Sequence, residues 1–190
     1  MDPHTSMPYP AAAIANEFIK LSREANRPVS PMKLQKLVYF AHGWYLALTG
    51  KPLINEPVEA WKFGPVIPSL YHVLKSYGDK EISNYLTDDP WNSLALMGQA
   101  FKGRTYLIQD GPDPQENDLA KQVVRRIWDV YGGFNAVQLS NLTHAEDAPW
   151  TRTSDKDKKH TIINQEAIRD YFAHFLQQNR ERHEALQNAR

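Results

Sequence analysis

The segment from residue 31 to residue 49 constrains the fold more than any other part of the chain. It carries the signals of a complete helix, because Ser30 can cap the free amides, Pro31 suits the first helical position and Gly50 suits a left-handed stop. Bulky apolar side chains lie on nearly every side of this helix: Leu34, Leu37, Val38, Tyr39, Phe40, Trp44, Tyr45, Leu46 and Leu48. A helix that is apolar nearly all round is typical of the centre of a bundle. The sequence therefore predicts a mainly α, compact helical bundle around a central helix at about 31–49.

Gly43 interrupts the central helix at a cost of roughly 1 kcal/mol relative to alanine. We expect another backbone to approach closely at this point. Further apolar stripes at helical spacing, with their caps and stops, predict five more helices. They cover 11–25, 68–77, 118–131 with Asn117 as its cap, a short segment capped by Asn135 with Gln138 completing a capping box, and a last helix from about Asn164.

A short alternating segment predicts one strand, Val58 to Phe63, followed by a turn at Gly64 and Pro65. A second plausible strand covers residues 105–108. We expect the two strands to pair as a small β-hairpin or short sheet. At 190 residues the chain fits one domain. The predicted organisation is a disordered N-terminal extension at 1–10, a helical domain at 11–176 and a polar C-terminal helical extension or tail at 177–190.

Composition argues against several classes of protein. Twenty-two basic residues balance twenty-two acidic ones, so nucleic acid is not an expected partner. The absence of cysteine removes disulfides and zinc–thiolate sites and fits the cytosol. No apolar run approaches the roughly 18 residues of a membrane span. We therefore expect a cytoplasmic protein with no membrane association.

The chain carries no motif of a known catalytic or metal site. The seven histidines include no pair at ligand spacing on a helix, and neither a nucleophile elbow nor a phosphate-binding loop is present. His144, Glu146 and Asp147 form the densest group of possible ligands, but a histidine near the end of a helix commonly meets free carbonyls there. We therefore predict no enzyme and assign no catalytic, metal-binding or cofactor-binding residue.

Aromatic and basic residues cluster between the central helix and the next one. Tryptophan and tyrosine are enriched at binding hot spots, and two prolines fix the shape of the loop from Phe63 to Pro68. The alternative is that the aromatic side chains simply cover the central helix. We predict a protein-binding surface formed by Lys36, Trp61, Lys62, Phe63 and Tyr71.

These segments resemble the Panacea domain of the SocA-like antitoxin family. The resemblance rests on KLQKLVYFAHGWYLALTGKPL at 33–53, EAWKFGPVIPSLYHVLKSYG at 59–78 and VYGGFNAVQLSNLTHAEDAPW at 130–150, and it spans about residues 11–176. The residues that match the family's motifs are Lys33, Leu34, Gln35, Lys36, Leu37, Trp61, Gly64, Pro65, Val66, Tyr71 and Trp150.

The resemblance implies an antitoxin that is often encoded on phage or other mobile DNA. It implies a cognate protein toxin from a neighbouring gene as the partner, neutralised by direct binding. The alternative is a proteolytic adaptor that delivers the toxin to an ATP-dependent protease, for which the tail from residue 177 is the expected second contact. The toxin, its target, the oligomeric state and the division of the motif residues between core and interface stay open.

Overall fold

The computed structural model describes residues 8–87, 104–108, 113–153 and 160–188. The helices are α1 (Ala11–Glu24), α2 (Pro31–Thr49), α3 (Pro68–Leu74), α4 (Pro114–Tyr131), α5 (Ala136–Leu142), α6 (Pro149–Thr153) and α7 (Gln165–Asn188), with a 3-10 turn at Lys75–Tyr77. The strands are β1 (Glu59–Trp61), β2 (Gly64–Val66) and β3 (Thr161–Ile162). The prediction of a mainly helical fold with a small sheet is confirmed.

Helix α2 is the centre of the molecule and has the predicted bounds. Ser30 Oγ accepts a hydrogen bond from the Lys33 amide, and Gly50 ends the helix with a φ of 70°. Helices α1, α4, α5 and α7 all pack against it. Leu34, Leu37 and Val38 are fully buried because neighbours cover α2 on nearly every side.

Gly43 allows the closest approach in the bundle. A Cβ atom added there would lie 2.2 Å from Cε2 of Phe172 on α7. The Phe172 ring also contacts Tyr39, Phe40 and Trp44 edge-on, with ring centroids between 5.4 and 6.2 Å apart. The expected close neighbour was a backbone, and that expectation was wrong: the space left by the missing side chain holds an aromatic ring.

Local capping signals located most of the other helix ends. The predicted capping box of α5 is present, with Asn135 Oδ1 accepting from the Gln138 amide and Gln138 Oε1 accepting from the Asn135 amide. Asn164 likewise accepts from the Glu166 amide at the start of α7, at 2.7 Å. Helix α4 begins earlier than predicted, because Asp113 caps it and Pro114 takes the first helical position.

Asn117 has a different role from the predicted cap. It is buried, and its side-chain oxygen accepts a 2.6 Å hydrogen bond from the Tyr9 hydroxyl. Tyr9 is only 5% exposed and also donates its amide to the Leu53 carbonyl at 2.9 Å. The N-terminal extension predicted at 1–10 is therefore too long by these last residues, since burial of the tyrosine ring ties them to the core. Residues 1–7 lie outside the described residues, and α7 continues through most of the segment at 177–190.

The sheet has the strand order β2-β1-β3, and both pairs are antiparallel. Lys62 and Phe63 form a two-residue connection between β1 and β2, with Trp61 opposite Gly64. The strand predicted to extend through Phe63 is thus too long, and Gly64 and Pro65 lie in a strand rather than a turn. The predicted pairing with residues 105–108 is also wrong, because Thr105 bridges only Thr87 and β3 takes the second edge of β1.

A membrane-spanning helix is not found among the described residues, since none of their helices combines the length and the hydropathy that a bilayer requires.

Candidate protein-binding groove

Two side chains of α2 hold the C-terminal strand of the hairpin formed by residues 59–66. Gln35 makes a pair of hydrogen bonds with the Ile67 backbone, accepting from its amide at 3.0 Å and donating to its carbonyl at 3.2 Å. Lys36 Nζ donates to the Pro65 carbonyl at 2.9 Å. Pro65 has no amide hydrogen that would need a partner, and its carbonyl accepts a hydrogen bond from Lys36 on α2. Gln35 and Lys36 therefore fix the position and direction of β2 relative to the central helix.

Two further side chains, one from α5 and one from α6, hold the turn of the hairpin. Ser140 Oγ on α5 donates to the Phe63 carbonyl at 2.9 Å. Trp150 Nε1 on α6 donates to the Trp61 carbonyl at 2.8 Å. Alternate carbonyls from residue 61 to residue 67 thus each accept from a side chain of a helix. A hairpin alone is marginally stable in water, so these bonds supply much of its definition.

These bonds hold the hairpin so close to α2 and α5 that position 64 requires a glycine. Its φ is 98°, and a Cβ atom would lie 2.6 Å from Thr143 Oγ1 and 2.7 Å from Lys36 Nζ. Any larger residue would be strained and would also push against both of these groups.

The end of α5 supports Trp150 through His144. Thr143 Oγ1 donates to the Ser140 carbonyl at 2.7 Å, and His144 Nδ1 lies 2.7 Å from the same oxygen. The His144 ring packs edge-on against Trp150 at 3.8 Å between ring centroids. The interpretation of His144 as a residue at a helix end is confirmed, and the described part of the chain holds no group of three possible metal ligands.

Lys36 is the most unusual electrostatic feature of the site. It is 1% exposed, and burial lowers the pKa of its ammonium from 10.5 to about 7. No carboxylate within the described ranges forms an ion pair with it, and its Nζ donates instead to the Pro65 carbonyl. The prediction that placed Lys36 on the binding surface is corrected on this point: the residue lies beneath the hairpin as a support.

The hairpin, α3 and the start of α2 enclose an open groove of about 450 Å³. Its lining residues are Pro31, Met32, Gln35, Lys36, Trp61, Lys62, Phe63, Val66, Tyr71, Leu74, Lys75 and Gly78. Phe63 at the hairpin tip is 62% exposed and Tyr71 is 40% exposed. Four of the residues predicted to bind a partner, Trp61, Lys62, Phe63 and Tyr71, therefore come together around one groove, and Lys36 lies beneath its floor.

Trp61 is fixed in the wall of this groove. Its ring lies between Tyr71 and His160, with centroid distances of 4.9 and 4.3 Å. Its Nε1 donates to Glu59 Oε2 at 2.8 Å, and the Glu59 carboxylate also lies 3.6 Å from His160 Nδ1. The aromatic wall is thus set before any partner arrives, which lowers the entropic cost of binding.

The structure divides the motif residues into three groups. Leu34 and Leu37 are core, and Lys33 donates to the Gly132 carbonyl at the end of α4 at 2.7 Å. Gln35, Lys36, Gly64, Pro65 and Trp150 mount the hairpin, as described above. Trp61, Val66 and Tyr71 line the groove, together with Lys62, whose ammonium lies 5.3 Å from the centre of the Phe63 ring. Lys62 was expected on a strand and lies in the turn instead.

Sequence reasoning missed several residues of the site. Leu74 and Lys75 follow Tyr71 by three and four positions on the same helical path, so the helical period could have found them. Glu59 and His160 flank Trp61, and His160 comes from a distant part of the chain with no local signal.

Comparison with known proteins gives two matches. The family model described as Antitoxin SocA-like, Panacea domain, matches residues 34–151. Antitoxin SocA of Caulobacter vibrioides (strain NA1000 / CB15N) is 34% identical over 140 residues, which cover 74% of this chain and 68% of that protein. No solved structure matches the chain significantly. The chain therefore belongs to the SocA-like antitoxin family with a Panacea domain.

Proposed function

We propose that this protein is an antitoxin that binds a cognate protein toxin directly and thereby neutralises it. Membership of an antitoxin family supports an antitoxin role, and the Caulobacter relative is itself named an antitoxin. The toxin is the product of a neighbouring gene, and the two proteins meet in the cytoplasm. The groove formed by the hairpin and α3 contributes part of the toxin-binding surface.

The observation that carries this proposal is an exposed aromatic residue on a fixed backbone. Phe63 is 62% exposed, yet its own carbonyl and those of Trp61 and Pro65 are each bonded to a helix side chain. An apolar ring held in water on a rigid turn offers binding area without a large ordering cost. Among the described residues, the Phe63 ring is not part of the buried hydrophobic core.

Binding alone suffices for this function. Blocking a toxin requires a complementary surface and a stable complex, not a chemical step. The proposal therefore assigns no catalytic residue, metal or cofactor, and it describes a non-enzymatic protein.

Co-expression with each adjacent gene tests the proposal. We expect one neighbouring product to stop growth when expressed alone and to be tolerated when this chain is expressed with it. The two proteins should then co-purify as a complex. If none of the neighbours is toxic, or if no toxic neighbour is tolerated, the antitoxin proposal fails.

The contribution of the groove is tested by Phe63→Ser, with Val137→Ser as a matched control. Both side chains are apolar and 62% exposed, but only Phe63 lines the groove. We expect both variants to keep the melting temperature of the wild-type protein, since exposed sites change stability by about 0.5 kcal/mol or less. Protection from the toxin should weaken for Phe63→Ser alone, and equal protection by the two variants would place the interface elsewhere.

The second candidate function is that of an adaptor for an ATP-dependent protease. The end of α7 favours it, because the polar side chains Asn179, Arg180 and Arg182 are exposed there and can make a second contact. Direct neutralisation leaves the toxin intact in protected cells, whereas an adaptor causes its level to fall. Truncation after Leu176 should preserve protection in the first case and abolish it in the second.

A further inference from the structure

We propose that the groove receives a segment of the partner that combines an apolar side chain with a neighbouring carboxylate. The inference rests on the proposed antitoxin function and specifies the chemistry of the toxin segment that binds. The observation behind it is the unequal distribution of charge over the lining residues.

Three of the twelve lining residues are lysines, and none is acidic. Lys62 and Lys75 are exposed on the rim, one on the hairpin turn and one beyond α3. Neither ammonium forms an ion pair within the part of the chain that the structure describes. The chain as a whole has no net charge, so this concentration of lysines is a local property of the groove. Like-charge contacts with a basic partner segment would be strongly unfavourable.

The nearest carboxylate on the hairpin does not neutralise this rim. Glu59 already accepts the Trp61 indole N–H at 2.8 Å and lies 3.6 Å from His160. Lys36 adds a third amino group beneath the floor, where it donates to the Pro65 carbonyl. A carboxylate on the partner would therefore find two ammonium groups that form no ion pair with any described residue, and no competing acidic side chain in the lining.

The floor of the groove requires an apolar group. Leu74 is buried at 1% exposure, and Met32 and Val66 are half-buried beside it. A volume of about 450 Å³ lies within the range of roughly 300–1,000 Å³ for pockets that hold small ligands. This space holds the side chains of a short segment, while the remainder of the toxin rests on the surrounding surface. The groove thus receives one apolar side chain of the partner, with an acidic residue next to it.

Charge reversal at the rim tests this inference on the purified complex with the toxin found by co-expression. We expect the double variant Lys62→Glu with Lys75→Glu to weaken the dissociation constant roughly 10- to 100-fold, with each single variant intermediate. Arg126→Glu on α4 is the control, because Arg126 is exposed, carries the same charge and does not line the groove. The control should keep wild-type affinity, and the melting temperatures of all variants should agree. Lys62→Gln with Lys75→Gln, which adds no negative charge, should give a smaller loss in the same direction.

A compensating change on the toxin identifies the carboxylate. We expect one Asp→Lys or Glu→Lys variant of the toxin to bind the double glutamate variant at least tenfold better than the wild-type toxin does. Unchanged affinity after rim reversal, with toxin still bound and neutralised, would overturn the inference and leave the antitoxin function standing. Absence of any toxin bound by the wild-type protein would refute both. A homodimer that dissociates on rim reversal in analytical ultracentrifugation would show that a second copy occupies the groove, and would also overturn the inference.

Discussion

The helical body around α2 and the hairpin at residues 59–66 are held together by different forces. In the body, apolar side chains such as Leu34, Leu37 and Phe172 are buried against one another, and no directional bond is needed to hold them. In the hairpin, strands of three residues bury little area, and hydrogen bonds from Gln35, Lys36, Ser140 and Trp150 define the backbone instead.

This difference has a consequence for function. Burial of apolar side chains stabilises the helical body but removes those side chains from the surface. Hydrogen bonds to the backbone fix a segment while its side chains stay exposed to solvent. The hairpin can therefore hold Phe63 and Lys62 in water on a defined backbone. We conclude that the helical body supplies the stability and that the hairpin supplies the binding surface. Each of the following substitutions tests one of these two roles.

The largest effect is expected in the body, from Leu37→Ala. Leu37 is fully buried on α2, so its truncation removes apolar burial and leaves a cavity, at a cost of about 2–5 kcal/mol. Leu48→Ala is the control on the same helix, because Leu48 is 50% exposed and should change stability by about 0.5 kcal/mol or less. Denaturant unfolding measures both. A loss below about 1 kcal/mol for Leu37→Ala would show that α2 is not the centre of the core.

A loss of stability at acid pH is expected next, from His42 in the body. His42 is fully buried, its Nε2 has no hydrogen-bond partner among the residues that the structure describes, and burial lowers its pKa from 6.5 to about 4. Between pH 6.5 and pH 4 the histidine is protonated in the unfolded chain but not in the folded one. The contribution of His42 to the free energy of unfolding is therefore fully present above pH 6.5 and falls as the pH approaches 4. The full loss amounts to about 3 kcal/mol, at 1.36 kcal/mol for each pH unit.

Unfolding by denaturant at pH 7 and at pH 4.5 measures this loss, with His42→Phe as the comparison. The phenylalanine variant lacks the titrating group, so the difference in its stability between the two pH values should be smaller than that of the wild-type protein. Equal losses in both proteins would mean that other groups cause the acid sensitivity.

The third effect compares two glycines, one in each region. Gly64→Ala places a methyl group at a φ of 98° and within 2.7 Å of Thr143 Oγ1 and Lys36 Nζ, which should cost about 1–3 kcal/mol. Gly50→Ala at the end of α2 has a φ of 70°, and no described residue beyond the adjacent backbone lies within 4 Å of the added group, so only backbone strain of about 1 kcal/mol applies. The excess for Gly64 measures how tightly the hairpin is drawn onto α2. An equal loss of stability in the two variants would mean that the Lys36 and Thr143 side chains move aside without an energetic cost.

The sequence predicts the body well because its signals are local. The caps at Ser30 and Asn135 and the stop at Gly50 each act within a few residues, and the structure has all three. The wrong partner at Gly43 and the unexpected burial of Asn117 both depend on contacts between distant segments. Neither contact could be read from spacing.

The groove was predictable only in part. The aromatic cluster correctly gathers Trp61, Phe63 and Tyr71, but the helical period places Lys36 on the least apolar strip of α2 and so suggests exposure. Lys36 is buried instead, because the Pro65 carbonyl offers its ammonium a hydrogen bond under the hairpin. Periodicity records polarity along one helix and contains no information on what a distant segment brings to it.

The smallest effect on stability, Ser140→Ala, is the most direct test of how the hairpin is held. The change removes the 2.9 Å hydrogen bond to the Phe63 carbonyl and should cost about 1 kcal/mol. Ser22→Ala is its matched control in the body, because Ser22 is also buried and also donates to a carbonyl, that of Ile19 within α1, at 3.0 Å. The two variants should lose similar stability, but only Ser140→Ala frees a turn that has no helix around it. Amide hydrogen exchange should therefore accelerate at residues 59–66 in that variant alone, since local opening of a weakly packed segment sets the exchange rate. Unchanged exchange at the hairpin in Ser140→Ala would mean that packing of the Trp61 ring, and not the bonds to the backbone, fixes the turn.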